Sequence, residues 1–121
     1  MVNDNRKKRI GEQIQHELGN ILLRHPEQPL FSQITLIAVD VSADLSVAKV
    51  FFSIFDDAKI EEAKMVLEQA AGFLRKALAH NLNLRLTPRL RFAYDDSIKR
   101  GQRLSALIDS AVAADEERQR G

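Results

Sequence analysis

Thr87-Pro88-Arg89-Leu90-Arg91-Phe92-Ala93-Tyr94-Asp95-Asp96-Ser97 alternates with period two immediately after a proline. Leu90, Phe92 and Tyr94 fall on one side and Arg89, Arg91 and Ala93 on the other, which predicts a short strand with an apolar inner face and a cationic outer one. Thr87-Pro88 closes the preceding element, because the residue before a proline disfavours the α region. Asp95-Asp96-Ser97 supplies capping chemistry for a following helix. A strand at this point needs partners, and the chain upstream provides two.

Residues 33–41 are rich in β-branched side chains, with Ile34, Leu36 and Ala38 on one face and Thr35, Ile37, Val39 and Val41 on the other. Residues 47–55 set Ala48, Val50, Phe52 and Ile54 against Lys49, Phe51, Ser53 and Phe55. Ser42-Ala43-Asp44-Leu45-Ser46 lies between them with turn chemistry, so the pair predicts a hairpin. Residues 58–82 then carry Ile60, Ala63, Leu67, Ala70, Leu74 and Leu78 on one helical face. Asp56-Asp57 caps this helix, and Glu61 and Glu62 suit the positive end of its dipole. A straight helix of that length spans roughly 37 Å at ~1.5 Å per residue, whereas a domain of this size is roughly 26 Å across. A bend is therefore expected, and Ala70-Ala71-Gly72 is the place the sequence offers for it.

Toward the N-terminus, Ile10, Ile14, Leu18, Ile21 and Leu22 form the stripe of an amphipathic helix that His25-Pro26 ends. Gly11 and Gly19 weaken that helix by about 1 kcal/mol each relative to alanine. Toward the C-terminus, Leu104, Leu107, Ile108 and Val112 stripe a last helix, followed by a short polar tail over residues 113–121. The order α-β-β-α-α-β-α is an α+β plan, with helices packed on a small sheet in one domain over residues 1–112.

Composition narrows the function. With no cysteine among 121 residues, disulfides and thiolate metal sites are excluded, and a reducing compartment fits. Arg6-Lys7-Lys8-Arg9 runs into Ile10-Gly11-Glu12 rather than into an apolar signal core, and no apolar run approaches the ~18 residues of a membrane span. The expectation is a soluble cytoplasmic protein. The net charge of +1 hides an asymmetry. Residues 72–103 hold eight cations against two acids, net +6, and residues 40–71 hold three against seven, net −4. A polyanion-binding face is one reading of that pattern, and a solvated charged surface is the other.

Catalytic chemistry is not evident. His16, His25 and His80 lack the i, i+3 or i, i+4 spacing of a helical metal site. Asp56-Asp57 and Asp95-Asp96 stand where strands give way to helices, and sequence neighbours seldom converge on one substrate as an acid/base pair must. The glycines are too dispersed for a phosphate loop, a dinucleotide fingerprint or a nucleophile elbow. No enzyme, cofactor, metal or small-molecule substrate is expected.

The cations fall in groups: Arg6, Lys7, Lys8 and Arg9 at the first helix; Arg75 and Lys76 beyond the expected bend; Arg85, Arg89 and Arg91 around the third strand; Lys99 and Arg100 after it. The α-β-β-α-α-β core resembles the type II KH domain, an RNA-binding fold. The G-x-x-G loop with which KH domains clamp a nucleic-acid backbone is absent, and Ala70-Ala71-Gly72 stands in its place. That A-x-G at a helix kink is similar to the ribosome-binding factor A family. So are the basic run before the first helix, Val41-Ser42-Ala43-Asp44-Leu45-Ser46-Val47-Ala48-Lys49-Val50, Gly72-Phe73-Leu74-Arg75 and the stretch from Leu84 to Ser97. The resemblance covers residues 6 to about 108. It implies a KH-like fold with a helix–kink–helix and a C-terminal helix. It also implies binding to the immature small (30S) ribosomal subunit and its 16S ribosomal RNA, a role in late maturation and 5′-end processing, importance in the cold, and assembly GTPases nearby. A monomer without nucleotide or metal is expected. The alternatives are a stand-alone KH-like module for single-stranded nucleic acid, and a protein-interaction domain using the acidic half.

Overall fold

The computed structural model describes the backbone of residues 4–120 and the side chains of residues 5–109. Helix α1, Asp4–Leu23, is followed by a 3-10 turn, Pro29–Gln33, and by the hairpin strands β1, Ile34–Val41, and β2, Val47–Ile54. A second 3-10 turn, Asp57–Lys59, leads into α2, Ile60–Leu82; β3, Arg89–Tyr94, and α3, Ser97–Arg120, complete the chain. The sheet order is β1-β2-β3, with β1 antiparallel and β3 parallel to β2. The Arg89 amide donates to the Ser46 carbonyl and the Asp95 amide to the Phe52 carbonyl, which fixes both ends of the parallel pair. This is the α+β, type II KH-like plan expected from the sequence.

The core lies between one face of the sheet and two helices. Ile14, Leu18, Ile21 and Leu22 of α1 are buried, with Ile10 partly so. They meet Ala48, Val50, Phe52 and Ile54 of β2, Leu90 and Phe92 of β3, and Ala63, Leu67, Leu74 and Leu78 of α2. Each fully buried leucine contributes roughly 1.5–3 kcal/mol. The period-two and period-3.6 patterns thus identified the inward faces of β2, β3, α1 and α2.

The strict alternation expected in β1 does not hold. Leu36 pairs with Phe52 and Ala38 with Phe51, so Ile37 is an extra residue in a β-bulge. Beyond it the faces exchange: Val39 and Val41 join Ile34 and Leu36 on the core side, and Ala38 turns outward. A bulge leaves backbone groups of an edge strand unpaired. Gln15 answers this by donating from Nε2 to the Leu36 and Ile37 carbonyls at 3.2 and 3.3 Å. Gly11 lets the helix come close enough, because a Cβ there would sit 2.7 Å from the Val39 carbonyl oxygen.

At Ala70-Ala71-Gly72, where the sequence predicts a kink, the helix assignment runs through, and α2 spans 23 residues. Leu67 and Leu74 are seven positions apart and both fully buried, so the apolar phase crosses Gly72 unbroken. A Cβ at Gly72 would meet nothing within 4 Å, and glycine without a proline weakens a helix rather than breaking it. Asn83 ends α2 in the left-handed region at φ 51°, a conformation that asparagine tolerates.

Helix α3 departs most from expectation. Among the described residues it makes no extended contact with α1, α2 or the sheet, and Leu104, Leu107 and Ile108 are exposed. α1 and α2 already occupy the one covered face, so the stripe records an apolar side without a surface to cover it. The boundary expected at residue 112 falls within this helix; the side chains of Val112 and of the tail after it lie outside the described residues.

The two α1 glycines should respond oppositely to alanine. G11A is expected to destabilise the fold by about 1–3 kcal/mol through backbone overlap, outweighing the gain in helix propensity. G19A, with open space around it, is expected to stabilise by up to about 1 kcal/mol. Thermal melting of the two variants checks both signs.

Candidate nucleic-acid interface

The loop from Asn83 to Pro88 joins α2 to β3 and gathers the first group of cations. Arg75 reaches across from α2 and donates from Nε and a terminal nitrogen to the Thr87 carbonyl at 3.1 and 2.9 Å. This guanidinium therefore holds the loop in place. Lys76 and Arg85 have no acidic partner among the described residues. Together with Gly72, Phe73, Ala79 and Leu86 they line a groove of about 760 Å³. Phe73 is 50% exposed and Leu86 69% exposed, so the groove has an apolar floor between cationic walls. The His25 ring meets Phe73 edge-on at 4.8 Å and fixes one side of it. Around the corner, Arg6, Ile10, Leu45, Leu84, Arg85, Leu86 and Pro88 line a smaller cleft, which brings the start of α1 to the same end of the molecule.

The other cations are placed apart from this cluster. Lys7 and Lys8 lie along β1, in a cleft with Glu12, Gln15 and residues 38–41. Arg9 is exposed on α1. Arg89 and Arg91 project from the face of β3 opposite to buried Leu90 and Phe92. Lys99 and Arg100 stand at the far end of β3 and are neutralised there. Lys99 forms an ion pair with Asp57, which holds its ammonium above the ordinary lysine value and the Asp57 carboxyl below its own. Arg100 Nε sits 2.7 Å from Asp96. The cations thus do not form one continuous patch: the fold separates a groove end, a sheet face and a paired cluster.

The two acidic pairs divide their labour in the same way. Asp56 accepts from the Ala58 amide at 3.0 Å and Asp95 from the Ser97 amide at 2.8 Å, so one member of each pair caps a turn. The other member, Asp57 or Asp96, faces a base of α3. No group of three or more metal-ligating side chains occurs among the described residues.

The hairpin loop beside the groove end is set by Asp44. Its carboxyl accepts from the Ser46 hydroxyl at 2.7 Å, the Ser42 hydroxyl at 2.8 Å and the Ser46 amide at 3.1 Å. Those bonds, led by the Ser46 hydroxyl, pull its pKa down to about 2. Leu45 adopts φ 62°, a left-handed conformation unusual for leucine. Its side chain packs against the core, which offsets the backbone strain.

Comparison with known proteins places this arrangement. The family model for ribosome-binding factor A matches residues 6–108. This chain belongs to the ribosome-binding factor A family. Ribosome-binding factor A of Pseudomonas syringae pv. syringae is 44% identical over 119 residues, covering 96% of this chain and 86% of that protein. The Ectopseudomonas mendocina member is 47% identical, with 96% and 93% covered. The crystal structure of ribosome-binding factor A from Thermus thermophilus superposes with a TM-score of 0.65 at 31% identity, over 73% of this chain and 94% of that one. Ribosome-binding factor A membership agrees with a site built from cations and exposed apolar side chains.

Of the residues that line this groove, the sequence singles out Arg75, Lys76 and Arg85 as candidates but not Phe73 or Leu86. Phe73 precedes core residue Leu74 and so is out of phase with the buried stripe, which was the available signal. R75A is expected to cost about 1 kcal/mol and to speed amide exchange across residues 83–88. The Asp44 network has its own acid signature. A depressed carboxyl pKa contributes stability that is complete above about 3.8 and lost as pH falls toward about 2. The melting temperature of D44A is therefore expected below wild type at neutral pH, with the gap narrowing near pH 2.

Proposed function

We propose that this chain binds the immature small ribosomal subunit through its 16S ribosomal RNA and assists late maturation of that particle. The observation that carries the reading is the groove beside residues 83–88, where Lys76 and Arg85, free of carboxylate partners among the described residues, flank exposed Phe73 and Leu86. Phosphates meet the cations, and unstacked bases meet the apolar floor. The relatives named above are ribosome-binding factors, which directs the choice of RNA.

In this reading the protein works without catalysis. A factor that binds one conformation of a particle better than another shifts the population toward it. Supporting 5′-end processing requires only that the RNA be held in the processed geometry. Growth in the cold raises the need, since misfolded RNA escapes its traps more slowly. Assembly GTPases are the natural agents of release, and in this reading the factor acts as a cytoplasmic monomer.

A stand-alone single-strand-binding module would use the same groove but would not follow ribosomal particles. Sucrose-gradient sedimentation of cell lysate separates the two: the protein is expected with small subunits, and recovery only in the RNA-free top fractions would overturn the assignment. K76E/R85E is expected to weaken co-sedimentation at least tenfold with an unchanged melting curve. Neutralising these two cations should also flatten the log–log salt dependence by roughly 0.7–0.9 per lost phosphate contact. K99Q, which lies outside the groove, should leave subunit binding near wild type.

A further inference from the structure

The face of the sheet turned away from the helices is built to a different plan. Register sets Lys49 of β2 between Asp40 and Arg91, and Phe51 between Ala38 and Ala93. Arg89 precedes Arg91 by one repeat, roughly 6.6 Å at ~3.3 Å per residue. Among the described residues no element makes extended contact with the Lys49–Phe51 part of this side: α1 and α2 lie on the opposite face, and only Ser53, farther along β2, is buried there.

Phe51 is the residue that needs explaining. It stands on the central strand, and its register partners on both flanking strands are alanines, so no bulky side chain stands directly across from it. The Lys49 ammonium lies 5.2 Å from the ring centroid. Outward arginines on a short edge strand can serve merely to discourage edge pairing. That role accounts for neither a half-buried aromatic on the middle strand nor a lysine held over its ring. Three cations face one carboxylate, Asp40, across this surface, and β2 and β3 contribute no acid to it.

We propose that this face is a second RNA-binding surface, which takes a single-stranded segment by stacking one base on Phe51 while Lys49, Arg89 and Arg91 meet the adjoining phosphates. A single strand is favoured over a duplex because a paired base has its π-face covered by its neighbours. Charge decides for RNA over a protein partner, since a surface of three cations around one ring complements a phosphate–base repeat. The face is distinct from the groove at Phe73 and Leu86, because Arg89 and Arg91 point away from the side on which Leu90 and Phe92 pack. The chain can therefore hold two RNA segments at once. The assignment rests on the attachment to ribosomal RNA proposed above.

Titration of the full-length chain with a labelled short oligouridylate, run beside co-sedimentation with purified small subunits, tests it. F51L keeps apolar bulk and removes the ring. It is expected to weaken oligonucleotide binding about tenfold, the size of a lost base–aromatic stack, at an unchanged melting temperature. K49Q/R91Q, which alters exposed positions alone, is expected to lower the salt slope by about 1.4 at ~0.7 per phosphate on a single strand. Wild-type affinity in both variants overturns the proposal. So does F51L that binds subunits poorly yet titrates the oligonucleotide normally, since the face would then meet protein. If the wild-type chain fails to sediment with subunits while its oligonucleotide binding still depends on Phe51, the ribosomal reading falls and the RNA face stands.

Discussion

The backbone of α1 touches the backbone of β1 at Gly11, where even a methyl group would overlap the Val39 carbonyl. That contact sets the depth at which the helix lies, and Gln15 one turn later locks its register onto the bulge carbonyls. Much else follows from it. With α1 seated against β1, α2 fills the remaining half of the same face, and the start of α1 is carried to the loop that joins α2 to β3. The cleft shared by Arg6 and Arg85 exists because of this seating. Two carbonyls of the edge strand that would otherwise be free at the bulge are bonded by the same helix.

Covering one face with two helices constrains the charges. Cations spread along the chain cannot all reach one surface when the sheet divides the molecule into two sides. Those near residues 75–88 collect around a groove, those of β3 turn to the opposite side, and those at the start of α3 are taken up by carboxylates. The ribosome-binding factor A fold thus distributes positive charge by topology, and cations close together in sequence can serve different surfaces. A small domain can in this way present cations on more than one of its sides.

The legible parts of the fold were those governed by a repeating pattern. Leu90 and Phe92, or Ala48 to Ile54, announce their inward face because a strand has a period of two. Ile14, Leu18 and Ile21 do so for a helix. What escaped was whatever depends on contact between distant elements. The bulge at Ile37 looks like ordinary alternation until β2 is set beside it. Gly11 reads as a weak point in a helix until Val39 lies against it. At the interface, charge was visible in the sequence and Phe73 and Leu86 were not, because exposure of an apolar residue is a property of its surroundings. The stripe of α3 misled for the same reason.

That last helix has a mechanical meaning. It is joined to the body by the short link after Tyr94 and steadied by Lys99 on Asp57 and Arg100 on Asp95 and Asp96. Exposed pairs of this kind are worth roughly 0–1 kcal/mol each, far less than the buried leucines that hold the body together. At ~1.5 Å per residue its 24 residues make a rod of roughly 36 Å, whose described residues are tied to the body at its start. The direction in which the helix leaves the body is therefore set by a few weak ion pairs around Asp57 and Asp96 rather than by packing.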